Sequence, residues 1–259
     1  MASVPAADFI ATISKYISSP SLVSITGSGG KTSLMFSLAN SLARDGSVIC
    51  TTTTKLCWPY QHEEAPFFVR GGSASGLRES VSANGSVLVG DHVACGKLTG
   101  IPPKLVDSFF RESVARHILV EADGAKGMSF KGYESHEPVV PSSTTHHIAV
   151  VGAEILASPI SRENTFRLNL LMERWGVRER ERISFDKLAE ILESPSEYLK
   201  GSPSTATRML LFNKCEILGA QTLCEASGNL SKLLVSFDIM AFVSLRRNIR
   251  YELTKLKRL

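Results

Sequence analysis

The chain has 259 residues, 43% of them hydrophobic and 21% charged, which is enough apolar material for one sizeable core. A net charge of +4 suits a small phosphate-bearing ligand and sets the chain apart from strongly basic nucleic-acid binders. Five scattered cysteines lack any CxxC pair, and no apolar run nears the roughly 18 residues of a membrane span. The N-terminus has no basic stretch leading into an apolar core, so a soluble cytoplasmic protein is expected, with neither membrane nor nucleic acid as partner.

In chain order, a helix is expected over 5–18 and a strand over "SLVSIT" (21–26). A glycine-rich turn follows. Then "KTSLMFSLANSLARDG" places Leu34, Leu38 and Leu42 on one helical face. Further strands are expected at "SVICTT" (47–52), "SVLVG" (86–90), "HILVEA" (117–122), "HIAVVG" (147–152), "RMLLFN" (208–213) and "IMAFVSL" (239–245). These runs are nearly continuous in apolar residues, as strands buried on both faces of a parallel sheet are. Helices are expected over 103–114, 162–175, 184–193 and 215–228, and the alternation argues for an α/β fold with a mostly parallel sheet flanked by helices. Residues 153–205 read as a helical insertion within one domain spanning 1–245. "GGSASG" (71–76) and "ESPSEYLKGSPSTATR" (193–208) have loop composition. The basic tail, 246–259, reads as a solvated terminal helix.

The chemistry concentrates after the first long strand, at Gly27-Ser28-Gly29-Gly30-Lys31-Thr32-Ser33. Glycines let a backbone turn with positive φ and approach a ligand closely. Their N–H groups form an anion nest, and the following helix adds the partial positive charge of its N-terminus. Lys31 supplies a point charge for terminal phosphate oxygens, and Thr32 a hydroxyl for Mg²⁺. The spacing is GxxGK[ST], shorter than the common GxxxxGK[ST].

Three further segments complete the expected site. Glu121 and Asp123 end the strand at 117–122; two positions apart, both face the same side, where a metal-binding or water-positioning acid belongs. "TTTTK" (51–55) offers Thr53 and Thr54 to Mg²⁺ or phosphate, and Lys55 to phosphate charge. "LFNKCE" (211–216) resembles the [NT]KxD guanine motif, with Asn213, Lys214 and, one methylene longer than Asp, Glu216. The bound nucleotide is therefore expected to be ATP or GTP, with Mg²⁺. In "KGYESHEPVVP" (131–141), Lys131, His136 and Glu137, with Lys126 just before, are chemically capable but fit no standard mechanism.

The blocks "GSGGKTSLMFSLA", "TTTTKL", "LVEADGAKG", "SHEPVVPSSTTHHIAVVG" and "LFNKCE", taken in order, resemble the YqeC family of accessory proteins of selenium-dependent molybdenum hydroxylases. That resemblance implies a P-loop nucleotide-binding protein that assists maturation of a molybdenum cofactor or its enzyme. A molybdenum hydroxylase or a molybdopterin-type cofactor would then be a partner. The loop alone is also similar to that of Mur-type ATP-dependent ligases, but a shared loop does not transfer a reaction. Three outcomes stay open at this level: a slow NTPase with Lys31 and Glu121 or Asp123 as catalytic groups, a nucleotide-gated scaffold, and a nucleotide-dependent transferase or ligase.

Overall fold

The computed structural model describes residues 4–5, 7–58, 67–70, 73–247 and 249–256. Positions 71–72 of the expected glycine loop, and 248 and 257–259 of the tail, lie outside them.

The chain opens with β1 (Val4–Pro5), α1 (Ala7–Ser14), β2 (Ser21–Gly27), α2 (Lys31–Leu42) and β3 (Val48–Thr52). Next come β4 (Lys55–Cys57), β5 (Phe67–Arg70), α3 (Ala74–Asn84), β6 (Ser86–Gly90), β7 (Val93–Ala94) and β8 (Lys97–Thr99). The middle holds α4 (Pro103–Arg111), β9 (His117–Glu121), β10 (Phe130–Lys131), β11 (His146–Gly152), α5 (Glu154–Ala157) and β12 (Thr165–Phe166). The last third contributes α6 (Leu168–Trp175), α7 (Phe185–Leu192), β13 (Thr207–Asn213), α8 (Ala220–Leu233), β14 (Ile239–Ser244) and β15 (Ile249–Lys255).

One ten-stranded sheet dominates, in the order β1-β15-β14-β13-β11-β2-β9-β3-β6-β5. From β14 through to β5 every neighbouring pair is parallel. All seven strands expected from the sequence are in this parallel block, and their continuous apolar runs are explained by helices on both faces. On one face α2 lays Leu34, Leu38 and Leu42 against Val23, Ile25, Leu119 and Val150, with Phe9 and Ile13 of α1 beside them. The other face carries two cores. Leu77 and Val81 of α3 and Val106 and Phe109 of α4 cover the β2–β9–β3–β6 half. Leu188, Ile191, Leu223 and Leu230 of α7 and α8 cover β11–β13–β14, where Phe212 and Phe242 stack with centroids 4.9 Å apart. The helical stretch after β11 thus packs on one face of the common sheet, and it also carries the short strand β12, paired in parallel with β10.

Three expectations are corrected. The helix expected over 162–175 is confined to α6, Leu168–Trp175, because Thr165 and Phe166 pair with β10 as β12. The residues 215–228 do not form one helix: a short 3-10 turn at Cys215–Ile217 precedes α8, which begins at Ala220. The tail is not a solvated helix. Residues 249–255 form β15, antiparallel to β14, with Leu253 packed on the α1/α2 core. The alternation Ile249, Tyr251, Leu253 has the period of a strand, and the unpaired edge of β14 supplies the hydrogen bonds that a lone helix would have to find internally. Among the described residues no helix is long and apolar enough to cross a membrane.

Because β2 sits mid-sheet, the chain leaves it toward β3 on one side and later returns to β11 on the other. Such a reversal opens a crevice beyond the carboxyl ends of the strands. Removing residues 249–259 should uncover β14; we expect a lower melting temperature and self-association, read by thermal denaturation and size-exclusion chromatography.

Candidate functional site

The loop Gly27–Gly30 crosses from β2 to α2 pressed against the neighbouring strands. Gly27 has φ +91°, and a Cβ there would lie 2.1 Å from the Val150 carbonyl oxygen of β11. Gly30 has φ +130°, and its Cβ would lie 2.4 Å from Asn213 Nδ2. Neither position accepts a side chain. The Ser28 N–H donates to Val150 O at 2.8 Å, which pins the loop to the sheet. The N–H groups of Gly29, Gly30, Lys31, Thr32 and Ser33 take no acceptor among the described residues. These five consecutive donors stand at the start of α2, whose dipole favours negative charge there.

Behind the loop lies Asp123, fully buried. Its Oδ2 accepts from Gly27 N at 3.0 Å and from Lys131 Nζ at 3.1 Å, and its Oδ1 is 3.3 Å from Lys31 Nζ. Lys31 folds back to donate to Gly27 O at 2.8 Å. Lys131, equally buried, also donates to Gly124 O and to Glu137 Oε2, at 2.7 and 3.1 Å. Glu137 in turn holds both Nη atoms of Arg167. An ion-pair chain therefore runs Lys31–Asp123–Lys131–Glu137–Arg167 from the loop to the start of α6. Lys131 Nζ also sits 4.3 Å from the Tyr133 ring centroid, and Tyr133 meets Tyr198 edge-on at 5.4 Å. The Ser28, Tyr133 and Tyr198 hydroxyls in this region are buried, with no partner at hydrogen-bond geometry among the described residues.

Glu121 takes the opposite role. It accepts the Thr32 hydroxyl at 2.7 Å, lies 3.9 Å from Lys31 Nζ, and lines the open side of the loop. Burial raises its pKa, against the pull of Lys31 and the Thr32 hydrogen bond.

In front of the loop is a cleft of ≈ 680 Å³. Of the expected residues, Gly29, Gly30, Lys31, Thr32, Ser33, Thr54, Lys55 and Glu121 line it. Gly27, Ser28 and Asp123 stand behind them as support. Thr53 does not line the cleft, because its hydroxyl donates to Val139 O at 2.7 Å. Asn213, Lys214 and Glu216 also lie off its wall. Asn213 is used as a brace: Nδ2 donates to Gly29 O at 2.6 Å and Oδ1 accepts from Leu245 N at 2.9 Å. Lys214 takes a left-handed φ of +67°, and Glu216 keeps a buried Oε2 without a hydrogen-bond partner among the described residues.

The far wall was not legible in the sequence. It brings Cys57, Lys97 and Thr99 from the small sheet β4-β8-β7, and Phe166 and Arg167 from β12 and the turn before α6, beside Lys126, one of the capable residues noted in the sequence. The capable but unassigned block around 131–141 resolves into the ion-pair chain through Lys131 and Glu137, with His136 on the cleft wall.

Lys131→Met would take one cation from each of two buried carboxylates, leaving Asp123 with Lys31 and Glu137 with Arg167, so we expect a loss of about 3 kcal/mol of stability, measured by urea denaturation. His147, whose Nε2 is 2.9 Å from the Thr26 hydroxyl, is held neutral by burial, its pKa lowered from 6.5 to about 4. Above pH 6.5 both folded and unfolded chains keep this ring neutral. Below it the unfolded chain takes up a proton that the folded chain excludes, so stability falls as pH drops from 6.5 toward 4. This residue alone should remove about 3 kcal/mol across that window. His147→Gln should flatten the pH dependence of the denaturation midpoint there.

The sequence profile of the YqeC protein family matches residues 23–169, from the glycine loop through the 131–141 block to the start of α6. The chain is 30% identical over 215 residues to an Escherichia coli K12 protein described as uncharacterized protein YqeC; the alignment covers 78% of this chain and 80% of that one. No solved structure matches it. On the profile match and the length of that alignment, the chain belongs to the YqeC family.

Proposed function

We propose that this chain is a Mg²⁺-dependent nucleoside-triphosphate-binding protein that hydrolyses its nucleotide slowly. One observation carries the reading: five consecutive residues that line the cleft, Gly29 to Ser33, have backbone N–H groups with no acceptor among the described residues, and Lys31 is among them. Amide donors fixed by the fold need no reorganisation when a phosphate arrives. Lys31, now turned to Gly27 O and Asp123, is placed to swing its ammonium to the outer phosphates.

The donor set fits the metal. The Thr32 hydroxyl and Glu121 carboxylate are oxygen donors 2.7 Å apart at the cleft. Magnesium prefers oxygen and keeps several waters, so one or two protein donors with phosphate suffice. When bound it would neutralise charge on the transferring phosphoryl group. The protein's share is positioning: the loop amides and Lys31 hold the phosphate chain, and Glu121 orients the metal's water or the attacking water. Asp123, sealed behind the loop, holds Lys31 and Gly27 in place. The family resemblance supports assigning this activity to the maturation of a molybdenum cofactor or of a selenium-dependent molybdenum hydroxylase.

One observation bears on each finer reading. Glu216 Oε2 is buried and off the cleft wall, so selection of GTP over ATP by the Asn213–Lys214–Glu216 turn requires that turn to open onto the cleft. The ion-pair chain from Lys31 to Arg167 favours a nucleotide-gated carrier, because moving Lys31 to phosphate removes one cation from Asp123.

Calorimetry with ATP and GTP, with and without Mg²⁺, tests the reading. Lys31→Ala should weaken binding by about 100-fold, the loss of one strong charged contact of roughly 3 kcal/mol. Thr32→Ala should remove the Mg²⁺ dependence. Unchanged affinity in Lys31→Ala sinks the proposal. Equal affinity for ATP and GTP in wild type and in Glu216→Gln sinks the guanine reading. Binding without turnover selects the carrier.

A further inference from the structure

The small sheet β4-β8-β7 has one polar face and one apolar face, and register decides which points where. β4 and β8 are antiparallel, pairing Lys55 with Thr99, Leu56 with Leu98 and Cys57 with Lys97. Leu56 and Leu98 are buried in the main core. By the twofold alternation of a strand, Lys55, Cys57, Lys97 and Thr99 share the opposite face, and all four line the cleft. The sheet is held firmly. Gly100 N donates to Thr54 O at 2.8 Å and Ile101 N to Thr52 O at 3.0 Å, which ties β8 to the end of β3. The turn between β7 and β8 uses Cys95 and Gly96, both with positive φ, as a tight two-residue hairpin requires.

Lys55 and Lys97 stand on one face of this pair with no carboxylate partner among the described residues. Lys126 joins them at the cleft from the loop after β9, in a left-handed conformation (φ +49°), its Nζ 5.2 Å from the centroid of Phe166. It also lacks an ion pair among the described residues. The two acids of the cleft wall are already matched, Glu121 by Thr32 and Lys31, and Glu137 by Lys131 and Arg167. Three ammonium groups from three separate elements thus face one cleft without counter-charge. Like charges gathered this way repel unless an anion lies between them.

We propose that this wall is a second binding site, for the phosphate of an organic phosphate monoester, beside the phosphate loop. Lysines are point charges that suit a compact dianion, whereas a planar carboxylate is better met by a guanidinium fork. The Phe166 ring on the same wall provides an apolar surface for the body of the ester. Only the pairing with a nucleotide rests on the reading in the previous section; the site is built from residues outside the glycine loop. In that pairing the cleft holds two ligands, and the second is the substrate on which the nucleotide acts or the cargo it gates.

Cys57 provides the readout, since its exposed thiol lies on the same face, opposite Lys97. The full-length protein is alkylated with iodoacetamide, and the rate at Cys57 is followed by peptide mass spectrometry with and without phenyl phosphate. Comparisons are made within each variant. Phenyl phosphate should slow modification several-fold in wild type and in Lys31→Ala, and at lower concentration than inorganic phosphate does. It should give no protection in the double variant Lys97→Glu/Lys126→Glu, whose exposed positions leave the fold intact. Mg²⁺ with a non-hydrolysable triphosphate should leave the protection in place. Protection that disappears in Lys31→Ala but survives in the double variant would overturn the proposal by placing the phosphate in the glycine loop. So would no protection in wild type, equal protection by inorganic phosphate, or displacement by the triphosphate. If the triphosphate fails to bind in calorimetry while phenyl phosphate still protects Lys31→Ala, the nucleotide reading falls and this site stands.

Discussion

A single buried carboxylate organises the molecule's active edge. Asp123 has no exposure to solvent, yet it meets the first loop amide, the loop lysine and Lys131. A charge in such a place is tolerated only when it is matched on several sides. Matching it fixes where Gly27 turns, where Lys31 rests and how the chain after β9 folds back over the sheet. Remove that anion and two buried cations lose their reason to be there.

The second carboxylate of the pair shows how finely position divides labour. Glu121 and Asp123 lie two residues apart and both approach Lys31 Nζ, at 3.9 and 3.3 Å. Glu121, the last residue of β9, reaches the cleft and receives the Thr32 hydroxyl. Asp123, beyond the strand's end, reaches under the loop. One acid therefore faces whatever enters the cleft, and the other holds the device that receives it. The two walls of the cleft differ in the same way. The loop wall presents fixed backbone dipoles, whereas the β4–β8 wall presents exposed lysines on strands rooted by buried leucines.

The parallel sheet was legible because long apolar runs and intervening helical patterns carry their own signal. The seven runs are buried on both faces, and nothing about their pairing was needed to recognise them. The glycine loop was legible because three glycines, a lysine and a hydroxyl within six residues have few other uses. Short strands left no such trace. β7, β10 and β12 have two residues each, too few for any period to show. β15 was misread since its charges suggested a solvated helix, while Tyr251 and Leu253 pack on the cores of opposite sheet faces, the register shifting opposite Phe242 and Val243.

By itself, the sequence determined the fold class, the strand–loop–helix that carries the glycine turn, and the two acids at the end of β9, because each depends on residues close together in the chain. Tertiary structure alone decided the rest. It assigned Asn213 to brace the loop, although its sequence context resembled a base-recognition motif, because the end of β13 lies against Gly29 and Gly30. It joined Lys131 and Glu137 to Arg167, some 30 residues further on, and it gathered Lys55, Lys97 and Lys126 around one cleft. Charges distant in sequence acquire a common purpose only when packing of the sheet brings their side chains within a few ångströms, and no local pattern encodes that distance.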